Sequence, residues 1–430
     1  MCYSDLTING KGFGTNAGNL RVFFGGALAT IVSADETIIE VQVPANATYD
    51  HVSVINTANN IHVTSPEKFV LSHSGDTFDT DLLTAQDQNS TAGLGVFDFC
   101  ACDFNMNGSM DYIVSNSTAR SGALGEFSIF TNSSTPGTIS LSRQNISIDE
   151  LAYTDCGDLN GDGLPDLIFS EGGGQNTRVY VFENTTSGSN ISFNSPIILP
   201  LPLDALGEVR IVDRLIMQDL DRNGKVDIIV ANTTNNELDI FENTSSGGTM
   251  SFNTAPIQIT LEADLVSSGL DAQDMNNDGF PEIIVTPSAE ENVFIFPNSS
   301  DIGDIKFDDF IRLDQTGNLS NVRAADLNGD GFADLIAIDG GVLGGAGRDF
   351  DEVHVFVNTT STPGGAITME KNTTFLVNEN PESIGFGDLN GDGKIDGVVT
   401  SRTSIAGSGI TVLINTTTAV SVGFDIFEIA

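Results

Sequence analysis

The sequence is poor in several residue types, and each shortage excludes a class of protein. Its 430 residues contain 17 Lys and Arg against 59 Asp and Glu, which gives a formal net charge of −42. Nucleic-acid binding depends on clustered basic side chains that neutralise phosphates, so this composition argues strongly against a nucleic-acid partner. The chain also lacks any run of about 18 apolar residues, which excludes a membrane-spanning helix in this segment. The excess acidity predicts a solvated surface.

Cysteine and histidine are scarce, with four residues of each. There is no C-x-x-C pair and no His at metal-ligand spacing from a Cys, so we do not expect zinc. Cys100 and Cys102 share one face of a predicted strand, and Cys156 lies on the opposite-parity face of the matching strand in the next repeat. Two alternatives stay open: a disulfide that joins Cys100 or Cys102 to Cys156, or buried free thiols that act as small hydrophobes.

Catalytic motifs are missing as well. The sequence has no G-x-S-x-G, no H-E-x-x-H and no P-loop. His51, His62, His73 and His354 belong to no nucleophile–base arrangement. We therefore predict that the chain is not an enzyme, although counting its many carboxylates does not exclude a glycosidase-type pair. No segment shows a sustained 3.6-residue apolar period, so helix is expected to be scarce.

What the chain does contain is six copies of one nine-residue acidic loop. The copies span 103–111, 158–166, 219–227, 274–282, 326–334 and 388–396, with oxygen-bearing side chains at positions 1, 3, 5 and 9 and Gly at position 6. Alternate carboxylates and amides on a tight loop can converge on one hard cation, and Ca²⁺ takes about 6–8 oxygen ligands. Six copies in register predict calcium sites. An EF-hand is excluded, because position 12 is apolar and a β run follows each loop.

The loops mark a repeat of short strands. They begin 52 to 62 residues apart, and four strands are predicted in most repeats. A third-strand pattern recurs at 127–130, 179–182, 238–241, 293–296, 353–356 and 410–413, and a fourth-strand pattern recurs at 192–194, 251–253, 306–308 and 423–425. A period of this size with several strands per unit predicts the blades of a β-propeller.

These repeats resemble the FG-GAP/VCBS (integrin-α-like) calcium-binding repeats over about residues 75–430. The resemblance implies an all-β propeller with Ca²⁺ held between the first and second strands of each blade, by side chains at positions 1, 3, 5 and 9 and the backbone carbonyl of position 7. The implied ligands of about six structural calcium sites are Asp103, Asn105, Asn107, Ser109, Asp111; Asp158, Asn160, Asp162, Leu164, Asp166; Asp219, Asp221, Asn223, Lys225, Asp227; Asp274, Asn276, Asp278, Phe280, Glu282; Asp326, Asn328, Asp330, Phe332, Asp334; and Asp388, Asn390, Asp392, Lys394, Asp396. Asn105 and Asn107 replace carboxylates, so the first site is expected to be the weakest.

Residues 1–71 contain no acidic loop and resemble an IPT/TIG domain, an immunoglobulin-like β-sandwich. The resemblance rests on the patterns at 8–14, 22–26 and 41–44, and strands are predicted at 5–8, 20–24, 38–43 and 51–55. The opening strand of that family is missing. The predicted domains are 1–71, a linker at 72–93 with a possible blade-closing strand at 76–83, and a propeller at 94–430. Six recognisable four-stranded blades fit either a six-bladed ring or a truncated seven-bladed ring, and both ends suggest a piece of a longer multidomain chain.

The predicted function is that of an extracellular or cell-surface binding or adhesion module, stabilised by calcium, for a glycan or protein ligand. The alternative is a non-catalytic targeting part of a secreted polysaccharide-degrading enzyme. Weak calcium sites suit millimolar external Ca²⁺. Ligand contact is predicted on the blade face opposite the acidic loops, through Arg348, Asp349 and Phe350 in the Gly-rich loop at 339–351, with 200–210 as a second candidate.

Asn-x-Ser/Thr sequons recur after the third strand of each repeat, at Asn132, Asn184, Asn243, Asn298, Asn358 and Asn415. They would carry glycans in a host that uses such sequons. Alternatively, each Asn is a structural residue that tolerates the turn at the end of the strand.

Overall fold

A computed structural model describes the chain over residues 5–59, 61–71, 96–116, 126–135, 138–148, 151–171, 178–202, 212–232, 237–261, 267–287, 292–314, 319–340, 351–378, 380–402, 408–418 and 422–429. These residues are organised as β-sheets, with one 3₁₀ turn at Ala17–Asn19. The expected scarcity of helix is confirmed for this part of the chain. No helix in it is long and apolar enough to cross a membrane.

Two sheets occupy the N-terminal domain. The strands are β1 (Asp5–Asn9), β2 (Leu20–Phe24), β3 (Ala27–Leu28), β4 (Thr30–Ala34), β5 (Ile38–Gln42), β6 (Asp50–Asn56) and β7 (Ile61–Phe69). One sheet has the order β1-β5-β4 and the other has the order β3-β2-β6-β7. The four strands predicted here are present, and β3, β4 and β7 are additional.

Six four-stranded sheets follow, one for each repeat. Sheet one contains β8 (Val96–Cys102), β9 (Asp111–Asn116), β10 (Glu126–Asn132) and β11 (Leu141–Ser147). Sheet two contains β12 (Leu151–Gly157), β13 (Asp166–Glu171), β14 (Arg178–Phe182) and β15 (Ile197–Pro200). Sheet three contains β16 (Val212–Gln218), β17 (Asp227–Asn232), β18 (Glu237–Phe241) and β19 (Ile257–Thr260).

The same pattern continues to the end of the described chain. Sheet four contains β20 (Ser267–Gln273), β21 (Glu282–Pro287), β22 (Asn292–Phe296) and β23 (Ile311–Asp314). Sheet five contains β24 (Leu319–Ala325), β25 (Asp334–Asp339), β26 (Glu352–Asn358) and β27 (Met369–Leu376). Sheet six contains β28 (Pro381–Gly387), β29 (Asp396–Arg402), β30 (Ser408–Asn415) and β31 (Phe424–Ile429). In all six sheets, consecutive strands are antiparallel neighbours.

Apolar cores lie between sheets one and two, between sheets two and three, and between sheets four and five. Phe127 of sheet one packs against Phe169 and Phe182 of sheet two, with ring centroids 4.9 and 5.5 Å apart. All three rings are buried. Apolar residues of second and third strands thus supply the contact between these neighbouring sheets, because the strands are buried on both faces.

The predicted fourth-strand pattern is displaced in sheets two to four. Phe193, Phe252 and Phe307 form isolated bridges to Asn184, Asn243 and Asn298, and the regular fourth strand begins several residues later. The aromatic residue marks a tight connection, since backbone pairing at this point is limited to a single bridge. In sheet six the same pattern does begin a strand, at Phe424.

The described residues belong to two compact units. The first combines residues 1–65, 87–219 and 223–261, and so contains most of the N-terminal domain and sheets one to three. The second combines residues 66–86, 220–222 and 262–430, and contains sheets four to six. The predicted strand at 76–83 lies outside the described residues.

Candidate metal centres

Each acidic loop is the connection between the first and second strands of its sheet. Position 1 follows the last residue of the first strand directly, and position 9 is the first residue of the second strand, as in the loop between β8 and β9. This is the location that the sequence predicted. Two antiparallel strands therefore fix both ends of every loop, so its oxygen atoms are held on a rigid frame.

The side-chain oxygens at positions 1 and 5 turn inward over the loop backbone. In all six loops the position 1 Asp accepts a hydrogen bond from the N–H of the position 6 Gly, at 2.7–3.0 Å. The side chain at position 5 accepts one from the N–H of position 7, at 2.7–2.9 Å. Position 6 has φ between 80 and 90° in every loop, a conformation that favours Gly.

The carboxylate at position 9 has a structural role that the sequence did not reveal. It is 0% exposed in all six loops. In sheet two, Asp166 accepts the N–H of Leu159 at 2.8 Å and the N–H of Asn184 at 2.9 Å. The second of these bonds has a counterpart in every sheet, at 2.7–3.3 Å. Position 9 thus ties the acidic loop to the end of the third strand, and its remaining lone pairs are available to a cation.

Loop three brings three carboxylates together. Oxygen atoms of Asp219, Asp221 and Asp227 all lie within 4.8 Å of one another. Two oxygens bound to one Ca²⁺ at about 2.3–2.6 Å are separated by at most about twice that distance, so this spacing fits a single ion. A donor set of oxygen atoms alone suits calcium or magnesium and not zinc or copper. The residues present therefore fit the expected metal.

Burial makes these carboxylates costly to ionise without a cation. Burial raises the pKa of Asp111 to about 6, of Asp334 to about 7 and of Glu282 to about 8. Repulsion from the other carboxylates of the same loop contributes to these raised pKa values, as Asp326 does to that of Asp334. A divalent ion would displace the protons and remove this repulsion, because metal binding favours the deprotonated ligand.

In sheets two to six, the Asn of the sequon clamps two loops. In sheet two, Nδ2 of Asn184 donates to the carbonyl of Pro165 in its own loop, at 2.8 Å, and to the carbonyl of Phe104 in the preceding loop, at 3.0 Å. Its Oδ1 accepts the N–H of Thr186 at 2.9 Å. The same pair of donor bonds is made by Asn243, Asn298, Asn358 and Asn415.

The clamp decides between the two interpretations of the sequons in these five sheets. All five side chains are buried, and the nitrogen that a glycan would modify is the atom that donates to the two carbonyls. The structure therefore favours the structural role. The sequence signal for the clamp was the fixed position of the Asn in every repeat.

Loops one to three also contact the N-terminal domain within the first compact unit. The N–H of Asp103 donates to the carbonyl of Gly26 at 2.9 Å. A Cβ atom on Gly163 would lie 2.9 Å from the Arg21 side chain, and one on Gly224 would lie 2.6 Å from the carbonyl of His62. The position 6 glycines of loops two and three thus permit close approach as well as the turn.

A cleft of about 680 Å³ lies beside this contact, between the N-terminal domain and sheet one. None of its fourteen lining residues is charged, although the chain as a whole is strongly acidic. Asn46, Tyr112 and Asn132 present amide and hydroxyl groups to it, and the buried Nδ2 of Asn46 has no partner among the described residues. The candidate ligand residues Arg348, Asp349 and Phe350 lie outside the described residues, as does most of 200–210.

His354 is buried in the third strand of sheet five. Its Nδ1 lies 3.1 Å from Oγ1 of Thr374, and burial lowers its pKa to about 4. His354 therefore occupies a packed position within its strand. His73 lies outside the described residues.

Two family models match parts of the chain. The FG-GAP-like repeat matches residues 219–285 and 274–337, and each match begins at position 1 of an acidic loop. The IPT/TIG domain matches residues 3–71. No curated protein sequence matches the chain.

Solved structures share the fold at low sequence identity. A protein from Lactobacillus plantarum is 10% identical, with 95% of each chain covered and a TM-score of 0.50. Proteins described as "putative 6-phosphogluconolactonase" from Bacteroides fragilis and Bacteroides uniformis are 12% and 11% identical, with TM-scores of 0.53. These cover 97% and 96% of this chain and 96% of each of theirs. At such identities the likeness shows the fold alone. The chain therefore contains FG-GAP-like repeats and an IPT/TIG domain, and its fold is similar to that of β-propeller-like proteins.

Proposed function

We propose that this chain is a calcium-stabilised binding module that works outside the cell and recognises a glycan or protein ligand. The observation that carries the proposal is the acidic loop, repeated six times with inward-facing oxygens. In the proposal, the six sheets are the blades of a β-propeller, and the two N-terminal sheets form an immunoglobulin-like sandwich. The ring would have six or seven blades.

The proposed role of calcium is structural. Each loop fixes the hairpin between the first two strands of its sheet, and the position 9 carboxylate extends that link to the third strand. Neutralising the clustered carboxylates therefore stabilises a whole sheet. Loops one to three also support the N-terminal domain, so calcium there would stabilise the domain contact as well.

An extracellular location follows from the chemistry of the proposed sites. Extracellular modules bind calcium at about 10⁻⁴–10⁻³ M, an affinity that external but not cytosolic calcium saturates. Calorimetric titration of the metal-free chain tests this part. Dissociation constants of about 10⁻⁴–10⁻³ M for several ions per chain would support the proposal, whereas no heat from Ca²⁺, or binding tight enough for cytosolic calcium to fill the sites, would overturn it.

The ligand part of the proposal concerns an uncharged cleft in an acidic protein. The cleft is lined by amide, hydroxyl and tyrosine groups and by no charged side chain, which suits a ligand rich in hydroxyl groups. Gly108 and Ser109 of loop one also line it, so the Ca²⁺ proposed for that loop would adjoin the cleft. A glycan array probed in Ca²⁺ tests for such a ligand. Asn46→Ala should weaken binding of any hit in this cleft, while Asn253→Ala, at an exposed site away from the cleft, should not. Equal binding by both variants would remove the cleft from the ligand site.

A further inference from the structure

The innermost strands of sheets one and two approach each other through their cysteine residues. Cys102 is the last residue of β8, and Cys156 is the residue before the last of β12. The two strands are also joined by hydrogen bonds, from the N–H of Thr154 to Oδ2 of Asp98 at 3.0 Å and from the Cys102 thiol to the carbonyl of Cys156 at 3.5 Å. The backbone around the two thiols is therefore held in place on both sides.

The sulfur atoms of Cys102 and Cys156 are 2.7 Å apart. This separation is shorter than the roughly 3.5–4.0 Å at which even smaller non-bonded carbon atoms are in optimal contact. Sγ of Cys100 lies instead 3.8 Å from Oγ1 of Thr154. The sequence left Cys100 and Cys102 as equal candidates. The Cys100 thiol also interacts with that of Cys156, but the 2.7 Å sulfur–sulfur contact is the one that Cys102 makes, and it favours Cys102.

The pair lies under the contact with the N-terminal domain. A Cβ atom on Gly26 would come within 2.9 Å of Sγ of Cys102, and Cys102 is 3% exposed. Cys102 immediately precedes Asp103, the first residue of loop one, and Cys156 lies two residues before the first residue of loop two. A covalent link here would hold the starting points of two acidic loops and the surface on which the Gly26 turn rests.

We propose that Cys102 and Cys156 form a disulfide bond that joins sheets one and two. The reaction is thiol–disulfide exchange with a small-molecule disulfide such as oxidised glutathione. One cysteine thiolate attacks the glutathione disulfide, forms a mixed disulfide and releases one glutathione thiol. The second cysteine attacks the protein sulfur of the mixed disulfide and releases the second glutathione. The two cysteines lose two protons and two electrons in total, and one glutathione disulfide is reduced to two thiols.

The position of the bond in the chain predicts a substantial effect on the stability of the folded chain. The residues are 54 positions apart, so the bond closes a long loop and restricts the unfolded chain. Reduction should lower the melting temperature by about 5–10 °C in saturating Ca²⁺. Because the acidic loops are separate from the sulfur atoms, the number of bound Ca²⁺ ions should stay unchanged.

Peptide mapping tests the pairing directly. The reduced, denatured full chain is refolded in Ca²⁺ with reduced and oxidised glutathione, blocked with N-ethylmaleimide in denaturant and digested without reduction. A second preparation is the same chain secreted through an oxidising compartment. Tandem mass spectrometry should find Cys102 linked to Cys156, assigned by fragmentation at Ala101, with maleimide on Cys100. Maleimide on all three residues in both preparations, or a link from Cys100 to Cys156, would overturn the proposal.

Melting curves with and without a phosphine reductant give the second readout. The wild-type chain and the matched control Cys100→Ser should both lose stability on reduction. The double variant Cys102→Ser with Cys156→Ser should melt at the temperature of the reduced wild type and should not respond to the reductant. A double variant that still responds, or a wild type that does not, contradicts the proposed bond.

Discussion

Loops one and three have the same backbone and different charges. In both, position 1 accepts the N–H of the position 6 Gly and position 5 accepts the N–H of position 7. Loop three places three carboxylates within 4.8 Å of one another, whereas loop one has Asn105 at position 3, where loop three has Asp221. Position 5 is Asn in both loops. In loop one the amide of Asn107 also donates to the carbonyl of Asn132, at 3.4 Å.

The comparison distinguishes the residues that shape the turn from those that add negative charge to it. Position 5 is an amide in loops one and three and a carboxylate in the other four loops. Its hydrogen bond from position 7 is equally short in both groups, 2.7–2.8 Å and 2.8–2.9 Å, so the turn does not require a carboxylate at position 5. Clustered charge instead raises the cost of folding, because burial and repulsion disfavour ionised carboxylates. Three carboxylates per loop are therefore best explained by a ligand of opposite charge, and loop one is where that ligand should matter least.

The largest expected effect is that of removing calcium from all loops. At ten times the dissociation constant, one site stabilises the folded chain by about 1.4 kcal/mol, so six such sites would contribute roughly 8 kcal/mol. EDTA should lower the melting temperature by about 10 °C or more, and Ca²⁺ should restore it better than Mg²⁺, which requires stricter octahedral geometry. Scanning calorimetry measures this, and an unchanged melting curve in EDTA would contradict calcium stabilisation.

The effect of EDTA should depend on pH. In the metal-free chain burial raises the pKa of Asp158 and Asp334 to about 7 and of Glu282 to about 8. Unfolded carboxyl groups titrate near pH 4, so between about pH 4 and 8 the folded state binds more protons and loses stability as the pH rises. The metal-free chain should therefore melt at a higher temperature at pH 5 than at pH 8.

Bound calcium should counteract this loss of stability with rising pH, because the ion keeps the carboxylates ionised. The difference in melting temperature between the calcium-loaded and metal-free chains should thus increase from pH 5 to pH 8. Melting curves at both pH values, with matched ionic strength, check the sign. A difference that decreases with pH would show that these carboxylates are not the groups that bind the ion.

Removing the Asn clamp should have the next largest effect on the free energy of unfolding. Asn243→Ala leaves the buried carbonyls of Leu159 and Val226 without a donor, and each lost bond of this kind costs about 1–3 kcal/mol. We expect a loss of about 2–4 kcal/mol in urea unfolding with saturating Ca²⁺. The matched control is Asn132→Ala, because Asn132 is only partly buried and its Nδ2 donates to the carbonyl of Met110 in its own loop.

The expected cost of Asn132→Ala is smaller, about 1 kcal/mol, since fewer buried groups lose a partner. Equal losses for the two variants would mean that the bond to the preceding loop contributes nothing. Mass spectrometry of the chain secreted from a glycosylating host provides a second check. Asn243 should carry no glycan, because its amide nitrogen is buried and donates two hydrogen bonds.

The comparison of loops one and three also shows which features were predictable from sequence. The loop sits between the first two strands of each sheet as predicted, because Asp, Asn and Gly at fixed spacing specify a turn locally. The third strands were also predictable, because their apolar pattern is likewise a local signal that recurs in each repeat. The role of position 9 and the clamp to the preceding loop were missed, since they join residues far apart in sequence, such as Asn184 and Phe104.

The fourth strands were predicted too early for a related reason. Phe193 looked like a strand residue, but its backbone makes a single bridge to Asn184, whose side chain is already committed to the clamp. Local strand propensity was thus not enough to predict where regular pairing with the third strand begins. Strand parity left Cys100 and Cys102 as the candidates for a bond to Cys156, beside the alternative of free thiols. The short contact between Cys102 and Cys156 could not be predicted, because it depends on the register of two neighbouring sheets.

The finest test exchanges the charge pattern between loops one and three. Asn105→Asp gives loop one the same ligand types at positions 1, 3, 5 and 9 as loop three, and Asp221→Asn gives loop three those of loop one. Because both loops share their backbone hydrogen bonds, the exchange alters charge with little change in shape. Additional ligand charge strengthens calcium binding, so Asn105→Asp should tighten the weakest site by about tenfold and Asp221→Asn should weaken its own site by a similar factor.

A calcium titration followed by calorimetry measures the change in affinity caused by each substitution. The readout is the midpoint of the last site to fill. In the wild-type chain that last site should be loop one. Asn105→Asp should remove the weakest phase, and Asp221→Asn should add a second weak phase of similar affinity. The double variant should again show one weak phase, now located in loop three. If the two substitutions leave the titration unchanged, ligand charge does not set the order in which the sites fill. Any difference in calcium affinity between loops one and three must then come from neighbouring residues, such as the contact of loop one with Gly26.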